Sequence, residues 1–368
     1  MTPLERTIRE RIRRDGPLPV SHYMAIALGD PDRGYYRKAD PLGARGDFIT
    51  APEISQVFGE IIGLWCAVTW QRAGCPAPVN LVELGPGRGS LMADALRAAQ
   101  GVPDFIAAAH VRLVETSPAL RACQRAALAD YSPDWHESIH TVPAGPALII
   151  ANEFFDALPV DQYVRTGNGW RGRCVGIDET ANRLIFIVDD GRPPPDGVIP
   201  QEAADAPPGS LFEHCPAGCA MAGEIGRRLA GHGIAALIID YGHARRGAGE
   251  TLQAVRDHRR HDVLSGPGEA DLTAHVDFAA LAEAAARAGA VSWGPVPQGA
   301  FLAGLGMEAR TERLAAGVDP DRAALLRSGC RRLIAADGMG TLFKVHALTR
   351  PASEIPAGFE AAAPSSPR

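Results

Sequence analysis

The feature that most constrains the fold is a short segment, residues 79–89, in which an apolar stretch runs into closely spaced glycines. It reads Val-Asn-Leu-Val-Glu-Leu-Gly-Pro-Gly-Arg-Gly. A strand that ends in such a loop and continues into a helix brings its backbone close to a ligand, because glycine has no Cβ and tolerates positive φ. The segment therefore predicts a nucleotide-type pocket at the end of a strand.

The spacing within this loop argues against a dinucleotide. The glycines are each two residues apart, whereas a dinucleotide loop follows G-x-G-x-x-G, and Glu83 would repel a pyrophosphate. A carboxylate there suits a ligand with cationic groups, such as S-adenosylmethionine. Glu115, after the apolar run 110–114, can accept hydrogen bonds from ribose hydroxyls. A tight turn without a ligand is the alternative. The residues predicted to bind this cofactor are Glu83, Gly85, Pro86, Gly87, Gly89 and Glu115.

Composition narrows the class of protein. The formal net charge of −6 and the scattered basic residues disfavour a nucleic-acid substrate. The 7 cysteines are irregularly spaced, which predicts a reducing compartment and no disulfide framework. No apolar run approaches the roughly 18 residues that a membrane span needs. The N-terminal arginines alternate with acids, which favours a first helix over a mitochondrial presequence.

The histidines of the second half do not predict a metal site. His258 and His261 are three residues apart with arginines between them, which fits no zinc pattern that supplies further ligands. His243 and His275 are expected to line an acceptor cleft or to satisfy loop hydrogen bonds. No metal is predicted.

From residue 79 onward, strands and helices alternate. Such alternation predicts an α/β fold in which a parallel sheet carries helices on both faces and the ligand lies at the carboxyl ends of the strands. Strands at 162–164, 170–177 and 184–188 interrupt the rhythm and predict an antiparallel insertion at about 160–215. The predicted strands of the main sheet are 79–84, 110–114, a short one near Ile139, 147–151, 234–239, 290–293 and 342–349, and the predicted helices are 90–99, 118–129, 221–230, 277–288 and those between 308 and 336.

The predicted domains are a helical N-terminal cap at 1–78, the main domain at 79–350 and a frayed tail at 351–368. Within the cap, Thr50 and Glu53 form a predicted capping box. The loop 43–49 is expected to close over the ligand, with Gly46 and Asp47 contacting the cofactor, and a solvated turn is the alternative. The helix after Thr50 is predicted to bury one face, made of Ile54, Val57, Phe58, Ile61, Ile62, Trp65 and Val68.

Seven segments, in order along the chain, carry a family resemblance. They are Gly46 to Glu53, Phe58 to Glu60, Glu83 to Gly89, Val114 to Pro118, Ala151 to Pro159, Asp240 to His243 and Asp271 to Phe278. Together they resemble the MidA family of class I S-adenosylmethionine-dependent methyltransferases, which includes the mitochondrial protein arginine methyltransferase that assists assembly of respiratory complex I.

The resemblance covers about residues 4–348 and implies a Rossmann-like fold, S-adenosylmethionine as cofactor, and an arginine of a protein partner, a complex I subunit, as acceptor. Because the resemblance begins so close to Met1, we expect no presequence and a bacterial cytoplasmic location, with a mitochondrial one less favoured. The oligomeric state is open, and a homodimer is one option.

The acceptor is expected to lie beside the fourth strand of the sheet, 147–151, which places Asn152, Glu153 and Asp156 as catalytic candidates. If the acceptor is an arginine, its guanidinium has a pKa above about 12 and does not become a nucleophile by simple ionisation. Two carboxylates, Glu153 and Asp156, are predicted to hold its plane and localise its charge. Alternatively, Glu153 binds cofactor and Asp156 caps the next helix.

The sequence leaves two other functions open. One is a methyltransferase for a small molecule or for another protein side chain. The other is a non-catalytic assembly factor that keeps the fold as a binding module, which titration with S-adenosylmethionine distinguishes from an enzyme.

Overall fold

The computed structural model describes residues 1–37 and 50–362, and the backbone of 364–365. The described chain divides into two compact units. One contains residues 1–37, 156–220 and 243–280, and the other contains residues 50–155, 221–242 and 281–362. Helices Pro216–Gly231 and Phe278–Arg287 begin in the first unit and end in the second. These boundaries differ from the predicted segments at 1–78, 79–350 and 351–368.

The second unit is built on a mixed sheet, which confirms the predicted α/β class. Its five neighbouring strands from Ala235–His243 to Asp134–His136 are parallel, and the strands beyond Ala235–His243 are antiparallel. Across the sheet the order is Pro364–Ser365, Val291–Pro297, Phe343–Thr349, Ala235–His243, Ala147–Asn152, Val79–Leu84, Ala109–Val114 and Asp134–His136.

The helices of this unit alternate with its strands along the chain. None of the helices in the described ranges combines the length and apolar character needed to cross a membrane. The helices are Ala51–Ile54, Gln56–Arg72, Ser90–Ala99, Pro103–Ala108, Pro118–Ala127, Gln298–Gly304, Met307–Ala315, Pro320–Ile334 and Met339–Leu342, with a 3-10 turn at Ile139–Thr141.

The core strands follow from continuous apolar sequence. All six residues of Val79–Leu84 and all six of Ala147–Asn152 are buried, as expected for parallel strands covered on both faces. Helix Gln56–Arg72 packs closely on helix Ser90–Ala99, and Gly63 permits this contact. A Cβ at Gly63 would lie 2.3 Å from the carbonyl oxygen of Ala95. This close packing holds the helix that leaves the glycine loop against the core.

Three local predictions are wrong. Thr50 makes no side-chain capping hydrogen bond, and the helix is broken at Ser55, whose hydroxyl instead accepts from the Val57 N–H of a new helix. Val68 is 39% exposed rather than buried, although Val57, Ile61 and Trp65 of the same helix are buried. The short strand predicted near Ile139 lies earlier, at Asp134–His136, because the residues around Ile139 form a 3-10 turn.

The first unit contains a five-stranded antiparallel sheet that confirms the predicted inserted strands. Helix Pro3–Asp15 packs on it through Leu4, Ile8 and Ile12, which share one core with Val175 and Leu184. The first helix and the insertion therefore belong together although 150 or so residues separate them, which hydrophobic periodicity does not reveal. The strands are Leu18–Pro19, Asp161–Thr166, Gly169–Asp178, Arg183–Asp189 and Leu211–His214, with a second sheet of Gln253–Arg256, Arg259–His261 and Asp271–Thr273, a further strand Val276–Asp277, helices Val20–Gly29 and Gln201–Ala204, and a 3-10 turn at Tyr35–Arg37.

Candidate functional site

The parallel register brings the predicted cofactor residues to one edge of the sheet. Leu84 pairs with Val114 on one side and with Ala151 on the other, so the residues that follow these three strands leave the sheet side by side. Backbone hydrogen bonds continue beyond the strands, from Gly85 N to the Val114 oxygen at 3.0 Å. This edge is the candidate cofactor site.

The glycine loop adopts the predicted conformation. Its glycines have φ values of 62°, 54° and 87° at Gly85, Gly87 and Gly89, and the turn is closed by a hydrogen bond of 2.8 Å from Gly89 N to the Pro86 oxygen. Positive φ favours glycine at each of these positions. Helix Ser90–Ala99 begins directly after the turn, so its free backbone N–H groups face the same edge.

At two of these positions, packing gives a second reason for glycine, which the sequence did not reveal. A Cβ at Gly85 would lie 2.9 Å from Cδ2 of the Phe154 ring, and a Cβ at Gly89 would lie 3.3 Å from Cα of Gln124. The absence of side chains at these positions therefore serves packing within the protein. Gly87 lies between these two positions, in the middle of the loop.

Glu83 is a buried acid at the end of the first core strand. Its side chain is 3% exposed, and its Oε2 atom has no hydrogen-bond partner among the described residues. Burial raises the pKa of Glu83 to about 8. A buried carboxyl oxygen without a partner is costly unless it serves a ligand, and a cationic group is the ligand that it would stabilise best.

Glu115 is held in a fixed orientation after the second core strand. Its Oε1 atom accepts from Ser117 N at 2.7 Å and its Oε2 atom accepts from Gln124 Nε2 at 3.3 Å. Burial raises the pKa of Glu115, and the backbone N–H donors oppose that shift. The Ser117 and Thr116 backbone groups and Gln124 use three of the roughly four lone-pair directions of the carboxylate, so acceptor capacity remains for a ribose hydroxyl.

Asn152 and Glu153 lie at the end of strand Ala147–Asn152. Glu153 has φ +49°, an unusual conformation for a residue other than glycine, and its Oε1 atom accepts from Ala51 N at 2.9 Å and from Asn152 Nδ2 at 3.3 Å. The Oδ1 atom of Asn152 is buried with no hydrogen-bond partner in the described part of the chain. The strand end thus presents acceptor oxygens to any donor-rich group beside it.

Asp156 belongs to the other compact unit, where its side chain is buried and its backbone oxygen accepts from Ala274 N at 2.9 Å. The alternative that Asp156 caps a following helix is excluded, since the next element is strand Asp161–Thr166. Gly46 and Asp47 lie outside the described residues, so their predicted contact with the cofactor remains a prediction.

The histidines make loop hydrogen bonds. His243 Nδ1 lies 2.8 Å from the Arg245 oxygen, and His261 Nε2 lies 3.1 Å from the Ser265 oxygen. Among the residues that the structure describes, no group of three or more His, Cys, Asp or Glu side chains is arranged to hold a metal ion.

Sequence reasoning missed two residues of the site, Gln124 and Phe154. Gln124 is fully buried and donates to the Gly87 oxygen at 2.8 Å. Phe154 covers Gly85. A glutamine within an amphipathic helix carries no sequence signal of a binding role. Only the fold, which brings Gln124 against the glycine loop, identifies it.

The arrangement fits S-adenosylmethionine as a bound group. The partnerless Glu83 oxygen suits the cationic end, the left-handed backbone of the glycine loop allows close approach, and the oriented Glu115 carboxylate suits the ribose. These three elements follow adjacent strands or belong to one loop, so they meet at a single edge without rearrangement of the sheet.

Comparisons with known proteins identify the same chemistry. A family model described as an S-adenosyl-L-methionine-dependent methyltransferase matches residues 61–296. The protein arginine methyltransferase NDUFAF7, mitochondrial, is 37% identical in Danio rerio, over 92% of this chain and 84% of that protein, and 35% identical in Homo sapiens, over 95% and 83%.

A solved structure extends the match to the fold. A Burkholderia thailandensis protein bound to S-adenosyl-homocysteine superposes with a TM-score of 0.82 at 29% identity, covering 98% of this chain and 95% of that one. The cofactor prediction is confirmed by the family model and by this ligand.

The prediction of a bacterial cytoplasmic location is contradicted by these comparisons. The arginine methyltransferases similar to this chain are mitochondrial by name, in fish and in human alike. The prediction rested on how close the family-like region begins to Met1, and that distance does not report the compartment in which a protein works.

We expect binding of S-adenosylmethionine to release a proton near pH 7. Because the pKa of Glu83 is raised to about 8, its carboxyl is mostly protonated at pH 7 before binding, and a cationic ligand group beside it favours the ionised form. Calorimetric titration in two buffers of different ionisation enthalpy measures the released proton as a difference in heat.

Adenosine and the Glu83→Gln variant are the controls for this prediction. Adenosine has no cationic group and Glu83→Gln has no proton to lose, so both should bind with equal heats in the two buffers. The same raised pKa makes folding depend on pH: the free energy of unfolding falls as the pH rises from about 4.5 toward 8, and Glu83→Gln removes that slope. Proton release by Glu83→Gln equal to the wild type would assign the proton to another group.

Proposed function

The chain belongs to the family of S-adenosyl-L-methionine-dependent methyltransferases whose model it matches, and we propose that its acceptor is an arginine side chain of a protein, in a subunit of respiratory complex I. The observation that carries the proposal is the match, over more than nine-tenths of the chain, to proteins named as protein arginine methyltransferases. The family resemblance in the sequence motifs supports complex I as the setting.

The chemistry of the strand end after Ala147–Asn152 supports an arginine acceptor. A guanidinium carries five N–H donors and no acceptor, so it needs oxygen atoms around it. The partnerless Asn152 Oδ1 atom and the Glu153 carboxylate are such oxygens, and they follow the strand that lies directly beside the glycine-loop strand. Asp156 remains the predicted second carboxylate.

When bound, S-adenosylmethionine supplies a methyl group on a sulfonium that leaves as a neutral thioether. The protein contributes alignment and desolvation, and holding two reactants in line is worth roughly 7 to 11 kcal/mol. The Glu153 carboxylate holds the guanidinium plane and draws its positive charge toward the nitrogens that it faces. The opposite nitrogen would attack the methyl carbon as the carbon–sulfur bond breaks, and the proton that this nitrogen loses would pass to water.

Glu153→Gln is expected to leave cofactor affinity within twofold of wild type and to lower arginine methylation about 100-fold or more. The amide keeps an oxygen that can accept from Ala51 N, so the local fold is retained while the charge is lost. Affinity is measured by calorimetry with S-adenosyl-homocysteine, and methylation by mass spectrometry of complex I subunits from cells that lack the chain and are complemented with each variant.

Glu308→Gln is the matched control, because Glu308 is exposed on helix Met307–Ala315 and its substitution should restore methylation fully. Full methylation with Glu153→Gln would remove Glu153 from this role. If no methylated arginine depends on the chain while S-adenosyl-homocysteine still binds, the acceptor proposal fails and the cofactor site stands.

A further inference from the structure

We propose that Gln124 is a positioning residue for the cofactor: its side-chain amide fixes the glycine loop and the Glu115 carboxylate relative to each other, so that the adenosyl site is preformed. The proposal rests on the cofactor site and does not depend on which acceptor is methylated. Gln124 lies on helix Pro118–Ala127 and is 0% exposed.

Three hydrogen bonds hold the Gln124 amide. Its Nε2 atom donates to the Gly87 oxygen at 2.8 Å and to Glu115 Oε2 at 3.3 Å, and its Oε1 atom accepts from Trp135 Nε1 at 2.8 Å. The indole N–H only donates, and the carbonyl and carboxylate oxygens only accept. The three partners therefore permit one orientation of the amide and use both of its N–H groups.

Two of the hydrogen-bond partners of Gln124 belong to different parts of the cofactor site, and one ligand has to contact both parts. Gly87 is the middle glycine of the loop, and Glu115 is the acid predicted to bind the ribose. They follow neighbouring strands, so the sheet alone fixes their backbones but not the angle of the Glu115 side chain. Ser117 N holds Oε1 of this carboxylate, and the two N–H groups of the Gln124 amide, one on the Gly87 oxygen and one on Oε2, tie the carboxylate to the loop.

Close packing keeps Gln124 within reach of the loop. A Cβ at Gly89 would lie 3.3 Å from Gln124 Cα, so the loop backbone rests against the helix that carries the amide. Trp135 is in turn covered by Arg125, whose guanidinium carbon lies 5.0 Å from the centre of its ring. A buried amide in an apolar helix face is costly unless every hydrogen bond is made, and here each is made.

Gln124→Met tests the proposal by removing the amide at nearly constant volume. We expect affinity for S-adenosyl-homocysteine to fall about tenfold or more, since the carboxylate and the loop lose their shared donor. Calorimetry gives the affinity, and the melting temperature without ligand gives the stability. An affinity within twofold of wild type in folded protein overturns the proposal.

Trp135→Phe is the matched control, because it removes the bond to Oε1 and leaves both Nε2 bonds. If these hydrogen bonds only stabilised the fold, Gln124→Met and Trp135→Phe would lose affinity in proportion to their loss of melting temperature. That result also overturns the proposal. We expect Trp135→Phe to lower the melting temperature while affinity stays within threefold.

Gln124→Glu tests the proposal independently if Gln124→Met does not fold. The substitution places a second carboxyl group against Glu115. This new group can donate a hydrogen bond to Glu115 only while it is protonated. Affinity for S-adenosyl-homocysteine should therefore be at least tenfold weaker at pH 8 than at pH 6, whereas the wild type should show no such weakening. Equal affinity of this variant at both pH values contradicts the proposal.

Discussion

Gly87→Val is expected to abolish measurable binding of S-adenosylmethionine. Gly87 has φ +54°, a conformation that costs ordinary L-residues roughly 1 to 2 kcal/mol and is a genuine outlier for a β-branched one. The loop would relax away from this angle, and the branched side chain would occupy space at the edge where the ligand approaches. We expect at least a 100-fold loss of affinity by calorimetry.

Gly74→Val is the matched control for this experiment. Gly74 has φ +88° and no atom within 4 Å of an added Cβ, and it lies in the turn after helix Gln56–Arg72. The substitution introduces the same backbone strain away from the sheet edge, so it should lower the melting temperature and leave affinity unchanged. Gly87→Val protein that binds within a few fold of wild type would show that the loop does not contact the ligand.

The parts of the site that are local in sequence were predictable. Strand Val79–Leu84 and helix Ser90–Ala99 have the predicted bounds, because a short apolar run, three glycines and an amphipathic helix determine one another over twenty residues. Glu115 was identified for the same reason, since it follows the next apolar run. Parallel pairing then places both acids at one edge without further information.

Other features depend on contacts between distant residues, and the sequence did not reveal them. The capping box at Thr50 matches its pattern, yet Ser55 caps the longer helix, and the Ala51 N–H that begins the short one is taken by Glu153 from 102 residues away. The positive φ of Glu153 likewise has no local signal. Such positions carry strain that the surrounding fold imposes.

The compact units differ from the predicted domains for a similar reason. A boundary at residue 78 follows from the start of the strand and helix rhythm, whereas the core of the first unit joins helix Pro3–Asp15 to strands Gly169–Asp178 and Gln253–Arg256. Burial, and not the order of elements, decides which segments form one unit. Sequence periodicity identifies a buried face but not its partner.

Glu115→Ala is expected to weaken S-adenosyl-homocysteine binding about 100-fold or more while the protein stays folded. Hydrogen bonds to a charged group contribute roughly 1.5 to 3 kcal/mol each, and the carboxylate is expected to accept from the ribose hydroxyls. The variant also leaves Ser117 N and one Gln124 N–H without their acceptor, so the melting temperature without ligand should fall by a few degrees.

A ligand that lacks both ribose hydroxyls separates recognition from this loss of stability. Wild-type protein should bind the 2′,3′-dideoxy form of S-adenosyl-homocysteine about as weakly as Glu115→Ala binds the complete ligand. Glu115→Ala itself should not distinguish the two ligands, because the variant lacks the carboxylate that would accept hydrogen bonds from the hydroxyls. If the variant still prefers the complete ligand by the wild-type factor, another residue reads the ribose, and the orientation that Gln124 gives to Glu115 then serves the fold alone.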